Sequence, residues 1–98
     1  MAVKVFIRRR CPKDKEKELL AQIRKIRKRV TEQSGYISGE YLKAIDGPNE
    51  IVTISSWFSL EDWQAWAESD ERRAIEAEIN AIEGLESSYT VYRHIKTR

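Results

Sequence analysis

The sequence predicts an α+β fold of the ferredoxin-like βαββαβ type, with one four-stranded antiparallel sheet and the helices on one of its faces. Three observations support this prediction: four short segments of strand-like residues, two longer segments with helical apolar stripes, and turn residues between them. Because 98 residues are about the size of one folding unit, residues 1–98 are predicted to form a single domain.

The first strand and the first helix are predicted in the N-terminal third. Alternating side chains predict a strand over Val3–Arg10, which ends at Cys11-Pro12 because proline cannot donate to a sheet ladder. A long helix is predicted over residues 13–33, since apolar residues recur there at helical spacing. That stripe consists of Leu19, Ile23, Ile26 and Val30. Ser34-Gly35 then marks the end of the helix.

A hairpin is predicted next. Residues 36–45 and 50–58 read as two strands, and the second is rich in β-branched residues. The turn between them, Asp46-Gly47-Pro48-Asn49, consists of residues that favour tight turns. The two strands are therefore predicted to pair in antiparallel fashion.

The C-terminal part is predicted to hold two helical stretches and a last strand. Ser59 is a good N-terminal cap for the first stretch, and Ser69-Asp70 is expected to break or cap it. Gly84 ends the second stretch, and residues 87–97 are predicted to be the last strand.

Composition excludes several classes of protein. The net charge is +2 and 41% of the residues are hydrophobic, so the chain is not expected to be disordered. No apolar run approaches the roughly 18 residues of a membrane span, and the N-terminus does not have the pattern of a secretory signal. A single cysteine and a single histidine argue against a disulfide and a metal centre. We expect a cytoplasmic protein with no metal and no membrane partner.

Charge is unevenly distributed along the chain. Residues 1–49 carry an excess of seven positive charges, and residues 50–98 an excess of five negative charges. This pattern is typical of a nucleic-acid-binding face, or of two oppositely charged helix surfaces that attract each other or face water. The basic residues form one helix face without interleaved aromatic residues, so we favour the second interpretation and predict no nucleic-acid partner.

Apolar side chains are expected on both faces of the sheet. On the first strand, for example, Val5 and Ile7 fall on one face and Phe6 on the other. The helices cover one face only, so the second apolar face needs a cover. A second copy of the chain would supply it, and we predict a homodimer that forms through the sheets.

Several segments together resemble one protein family. They are Val3-Lys4-Val5-Phe6-Ile7-Arg8, Ser34-Gly35-Tyr36-Ile37-Ser38-Gly39-Glu40, Ile51-Val52-Thr53-Ile54-Ser55-Ser56-Trp57 and Asp62-Trp63-Gln64-Ala65-Trp66-Ala67-Glu68-Ser69. Over essentially its whole length, the chain resembles the antibiotic biosynthesis monooxygenase domain family of the dimeric α+β barrel superfamily. This resemblance implies a ferredoxin-like protomer and a dimer built sheet to sheet. The family includes cofactor-free oxygenases of aromatic polyketides, quinol oxygenases, haem-degrading oxygenases and signal-molecule isomerases.

The haem-degrading branch provides a residue-by-residue comparison. Its set consists of an Asn on the first strand, a Trp in the helix after the third strand, and a later His that binds the iron. Trp66 matches the Trp, whereas the Asn position falls on or next to Arg8 and the His position falls on Glu76. A carboxylate is a poor replacement for imidazole on haem iron. We therefore do not expect haem degradation by that mechanism.

Cofactor-free oxygenation requires an apolar pocket, a base and a donor for a developing oxyanion. His94 is the candidate base, and Arg8 or Arg93 could hold an anion. Trp66 joins His94 and Arg8 as a candidate catalytic residue through the resemblance. The candidate ligand-binding residues are Trp57, Trp63, Tyr41, Tyr92 and Glu76.

Each assignment has a structural alternative. A lone histidine near a strand end is more often a surface or interface residue than a base. Tryptophans at helical spacing more often fill a core than line a pocket, and a run of arginines is usually a solvated strand end. Cys11 has no partner base in the sequence, so a catalytic thiol is not expected.

Three hypotheses about function follow. The first is a cofactor-independent monooxygenase that acts on an aromatic or quinol-like small molecule. It predicts a pocket between the helices and the sheet, with His94 or Arg8 reaching into it. The second is a non-catalytic small-molecule-binding module on the same dimeric fold. The third is a haem-binding or haem-degrading protein with altered ligation.

Overall fold

The computed structural model describes residues 1–97 and has the predicted order of elements. The strands are β1 (Val3–Arg10), β2 (Tyr36–Lys43), β3 (Glu50–Trp57) and β4 (Glu86–Arg93). The helices are α1 (Glu16–Val30), α2 (Leu60–Ala67) and α3 (Asp70–Asn80). A single turn of 3-10 helix, Lys13–Lys15, precedes α1.

The four strands form one antiparallel sheet in the order β2-β3-β1-β4. The strands β1 and β3 are central, and β2 and β4 are the edges. The connections through α1 and through α2 and α3 place all three helices against the same face of the sheet. This is the ferredoxin-like α+β fold that the sequence predicts.

Several element ends differ from the prediction, each for a local reason. The α-helix begins at Glu16 because the residues after Pro12 form a 3-10 turn, in which the Lys15 N–H donates to the Pro12 carbonyl at 2.9 Å. The last strand ends at Arg93 because Arg93 pairs with Val3, the first residue of β1. Beyond that point, residues 94–97 have no neighbouring strand with which to pair.

The helices bury the apolar stripe that the sequence predicts. On α1, Leu19, Ile23, Ile26 and Val30 are all buried. They pack against the side chains of β1 and β3 that face the helices, and Trp57, Trp63 and Trp66 complete the core with exposed fractions of 3% or less. Among residues 1–97, no helix has both the length and the apolar character that a bilayer crossing requires.

Within residues 1–97, no layer covers the opposite face of the sheet. The molecule is a slab with a shortest dimension of 17 Å, which fits one sheet and one layer of helices. Apolar side chains on this open face are Phe6, Leu42, Val52, Ile54 and Tyr92, and the Phe6 and Tyr92 rings meet edge to face at 5.0 Å. The prediction that apolar groups occupy both faces is confirmed.

Candidate functional site

A small cavity lies between the helices and the sheet. Its volume is about 30 Å³, roughly the space of one water molecule. Residues of β1, β2, β3 and all three helices line it. They are Ile7, Arg9, Ile26, Val30, Tyr36, Tyr41, Thr53, Ser55, Trp57, Trp63, Trp66 and Arg72. A pocket is therefore present where the sequence predicts one, but it is too small for an aromatic ring.

Two arginines share one carboxylate at this cavity. The Arg9 Nη2 donates to Glu76 Oε1 at 2.5 Å, and the Arg72 Nη2 lies 3.8 Å from the same oxygen. Arg9 is only 2% exposed, because it follows Val5 and Ile7 on the side of β1 that faces the helices. The Arg9–Glu76–Arg72 cluster thus carries one uncompensated positive charge in a mostly buried place.

Three polar atoms of the cavity residues have no hydrogen-bond partner among residues 1–97. They are the Nε atoms of Arg9 and Arg72 and the Oγ1 of Thr53, all of which are buried. A buried donor that is left without a partner costs about 1–3 kcal/mol. These atoms are therefore poised to bind a polar group, whether a water or part of a ligand.

Three aromatic rings of the cavity lining form a chain of contacts that extends to Tyr89. The rings of Tyr36 and Trp57 lie 5.4 Å apart, those of Trp57 and Trp63 lie 5.8 Å apart, and those of Trp63 and Tyr89 lie 5.7 Å apart. All three pairs are edge to face. The Arg72 guanidinium lies over the Trp63 ring at 5.1 Å, where the face of the indole attracts its charge. The site therefore combines flat apolar walls with a cationic end.

Burial alters the titration of three side chains here. It lowers the pKa of Arg72, an effect that Glu76 opposes and that Arg9 reinforces. Burial raises the pKa of Tyr36 and of Tyr41 above the ordinary tyrosine value. Both tyrosines therefore keep their protons at neutral pH.

The structure brings together most of the predicted ligand-binding residues and one predicted catalytic residue, Trp66. Trp57, Trp63, Trp66 and Tyr41 all line the cavity. Glu76 reaches the same place through its bond to Arg9. The tryptophans line the cavity and also fill the core, so the two interpretations of these residues both hold.

Four other predicted residues, Arg8, Tyr92, Arg93 and His94, lie elsewhere. Arg8 is on the open face, where its guanidinium is 5.8 Å from the centre of the Phe6 ring. Tyr92 and the exposed His94 line a groove of about 210 Å³ with Lys4, Phe6 and Arg93, also away from the cavity. The expectation that His94 or Arg8 reaches into the pocket between helices and sheet is therefore wrong. Side chains alternate along a strand, so the inward position belongs to Arg9, one residue beyond Arg8.

The sequence interpretation missed Arg9, Arg72 and Thr53. Arg9 falls on the same face of β1 as Val3, Val5 and Ile7, because side chains alternate along a strand. This position was hard to recognise because Arg9 is the middle residue of a run of three arginines. Arg72 lies four residues before Glu76, so the two residues share one face of α3. Nothing in the sequence alone connects Arg72 with Arg9 on a distant strand.

The residues present do not fit haem. Glu76 stands where the resemblance places an iron-binding histidine, and its carboxylate is engaged by Arg9. The only histidine, His94, lies outside the cavity. Within residues 1–97, no group of three or more His, Cys, Asp and Glu side chains is arranged to hold a metal ion.

Solved structures share this architecture. SnoaB, a cofactor-independent oxygenase from Streptomyces nogalater, matches at 15% identity and a TM-score of 0.82, covering 98% of this chain and 95% of that one. Rv0793 from Mycobacterium tuberculosis matches at 18% identity and a TM-score of 0.86, covering 99% and 98%. A conserved protein from Methanosarcina mazei Go1 matches at 15% identity and a TM-score of 0.86, covering 95% and 92%. These matches show that the chain shares the fold of these proteins over nearly its whole length.

The family follows from the sequence itself. The family model described as "Antibiotic biosynthesis monooxygenase" matches residues 2–78, which is more than half of the chain. The protein therefore belongs to the antibiotic biosynthesis monooxygenase family, as the resemblance indicated. No curated protein matches the sequence.

Proposed function

We propose that the protein is a cofactor-independent monooxygenase that oxidises an aromatic or quinol-like small molecule at the cavity between helices and sheet. The observation that supports this most directly is the Arg9–Glu76–Arg72 cluster, which places unpartnered cationic donors at one end of an aromatic-lined cavity. The family to which the chain belongs supports the reaction class.

The positive charge of the cluster favours the reactive form of such a substrate. Cofactor-free oxygenation begins when an ionised, electron-rich ring gives an electron to dioxygen. A nearby positive charge lowers the pKa of a bound phenol or enol, and it also stabilises the superoxide that electron transfer creates. Arg9 and Arg72 would act in this way without taking up a proton themselves, since arginine stays protonated in proteins.

The reaction balances without a further reductant. The substrate anion and dioxygen give a ring radical and superoxide, and these join to form a carbon–oxygen bond. The resulting peroxide loses hydroxide as the same carbon loses its proton, and a carbonyl forms. One oxygen atom ends in the product. The other leaves as hydroxide, which combines with the proton that the substrate lost on ionisation to give water, so a CH₂ group becomes C=O.

The cavity has to widen before a ring can enter. Its present volume admits about one water. Tyr36 and Tyr41 are only half-buried, and both belong to β2, which pairs with a single neighbouring strand. Movement of these two side chains disturbs less of the core than movement of Trp57, Trp63 or Trp66. We therefore place the entrance at β2.

The test is an oxygen-uptake assay with anthrone, in which isotope-labelled dioxygen reports transfer of one oxygen atom to the product. Arg72→Gln should lower kcat/KM by about a hundredfold, the scale of one lost oxyanion donor. Arg73→Gln is the matched control, because Arg73 is exposed on the same helix, and its rate should equal that of the wild type. Turnover that survives Arg72→Gln but collapses in His94→Ala would contradict this location and support the histidine.

A binding module without catalysis is the second candidate. It is favoured by one observation: among the described residues that line the cavity, none is a histidine, aspartate or glutamate, and the neighbouring Glu76 carboxylate is already paired with Arg9. Saturable quenching of tryptophan fluorescence by the same compounds, without oxygen uptake above the enzyme-free rate, would support this candidate over the oxygenase.

The quaternary arrangement belongs to the same proposal. We propose that two chains pair through their open sheet faces, where Phe6, Leu42, Val52, Ile54 and Tyr92 supply an apolar centre. The polar and charged side chains of Lys4, Arg8 and Glu40 lie on the same face. Burial of the apolar side chains against a second copy would remove them from water.

A further inference from the structure

We propose that the ligand of this cavity is an aromatic acid, which carries a permanently ionised planar oxyanion such as a carboxylate and binds it between Arg9 and Arg72. The inference rests on the proposed site and names its ligand class. Glu76 is then an internal counter-ion, with which the incoming acid group competes.

The first argument is charge. Glu76 is the only carboxylate that contacts either arginine among the ion pairs of the described residues. A third cation stands nearby, since the Arg27 guanidinium lies 5.7 Å from the centre of the Tyr41 ring, and Tyr41 lines the cavity. A neutral ligand would leave this excess of positive charge uncompensated, whereas an anion would balance it.

The second argument is the set of free donors. Glu76 contacts each guanidinium through Nη2, which leaves the neighbouring Nε of the same edge without a partner in both arginines. That edge is the one that binds a carboxylate through two parallel hydrogen bonds. The Thr53 hydroxyl, also unpartnered, adds a third polar group on the floor formed by β3. A planar oxyanion uses these groups better than a single neutral hydroxyl does.

The third argument is the combination of size and surroundings. A volume of about 30 Å³ suits a small polar group rather than a whole ring. Aromatic rings lie directly beside this small polar space, because the Arg72 guanidinium lies over the Trp63 ring. A ligand with an acid group on an aromatic body matches both parts, once the tyrosines of β2 move aside to admit the ring.

The experiment compares naphthoate with its neutral analogue naphthamide, and follows binding by calorimetry. Naphthoate should bind at least about tenfold more tightly than naphthamide, and Arg72→Gln should remove that preference while Arg73→Gln retains it. Equal affinity for the acid and the amide would overturn the inference. So would the absence of any binding, in which case the cavity holds only water.

A second variant keeps the test sound if Arg72→Gln fails to fold. Glu76→Gln removes the competing carboxylate, so naphthoate should bind this variant more tightly and raise its unfolding temperature by more than it raises that of the wild type. Glu78→Gln is the matched control, since Glu78 is exposed on the same helix and pairs with Lys25 instead. Weaker binding of naphthoate to Glu76→Gln than to Glu78→Gln would overturn the inference.

The inference and the proposed function fail separately. If anthrone is oxidised but naphthoate neither binds nor inhibits, the ligand class is wrong and the oxygenase stands. If naphthoate binds with the predicted dependence on Arg72 but no quinol or anthrone is oxidised, the ligand class stands and the oxygenase is wrong.

Discussion

At the scale of single residues, Arg9 and Glu76 form the contact on which the site depends. Arg9 is 2% exposed and has one anionic partner at hydrogen-bond distance. A buried ion pair stabilises a protein little compared with apolar residues, but breaking it leaves one charge without compensation. The loss of unfolding free energy should therefore be large when one partner of the pair is replaced and small when both are replaced.

Replacing Glu76 with alanine should lower the free energy of unfolding by about 3 kcal/mol or more, because Arg9 would remain buried and unpaired. The double variant Arg9→Leu/Glu76→Leu should recover most of that loss. Urea unfolding of the wild type, the single variant and the double variant measures both effects. If the double variant is as unstable as the single one, the cost does not come from the stranded charge.

Residue by residue, the sequence predicted the walls of the site better than its charges. Trp57, Trp63 and Trp66 were recognisable because large aromatic residues near helices and strand ends must pack somewhere. Arg9 was not recognised, because a run of three arginines looks solvated and only the register of β1 decides which one turns inward. Arg8 and His94 were expected at the pocket for their chemistry alone, and the strand geometry directs them elsewhere.

At the scale of elements, the turns and caps were readable from local sequence. Ser59 caps α2 as predicted: its Oγ accepts from the Asp62 N–H at 3.1 Å and donates to the Asp62 Oδ2 at 2.9 Å. Ser69 caps α3 in the same way, accepting from the Arg72 N–H. The ends of β2 and β4 could not be predicted, because they depend on where a partner strand stops and not on the strand itself.

The cap of α2 can be tested directly. Ser59→Ala should lower the free energy of unfolding by about 1 kcal/mol, because the first turn of the helix loses its side-chain acceptor. Ser87→Ala is the comparison, since Ser87 is exposed in β4 and makes only a long 3.4 Å contact with Asn80. Its effect should stay within about 0.5 kcal/mol. Equal losses for the two variants in thermal or urea unfolding would argue against the cap.

At the scale of the whole molecule, the arrangement of the layers could be predicted from the order of the helices and strands. A βαββαβ chain places its helices on one face, and the strands here carry apolar residues on both. The sequence therefore predicted both the fold, which the structure confirms, and an uncovered apolar face. It could not predict which residues meet in the cavity, because a shift of one residue in register exchanges the two faces.

The uncovered face predicts a measurable change of mass. The wild-type protein should elute at twice the mass of one chain in light-scattering chromatography. Ile54→Asp should shift it to the mass of one chain, because a charge would be placed in the centre of the apolar interface. Ile45→Asp is the control, since Ile45 is 98% exposed in the turn after β2, and it should leave the mass unchanged. A wild-type protein of single-chain mass would contradict the dimer.

The Arg9–Glu76 contact also limits which substitutions this protein can tolerate during evolution. A replacement at position 76 alone that offers Arg9 no acceptor oxygen, such as an apolar residue, strands the buried Arg9 and loses a large part of an ordinary margin of stability. A replacement at position 9 alone strands the carboxylate. The two positions are therefore epistatic, and conversion of this site into one of another chemistry requires that they be exchanged together.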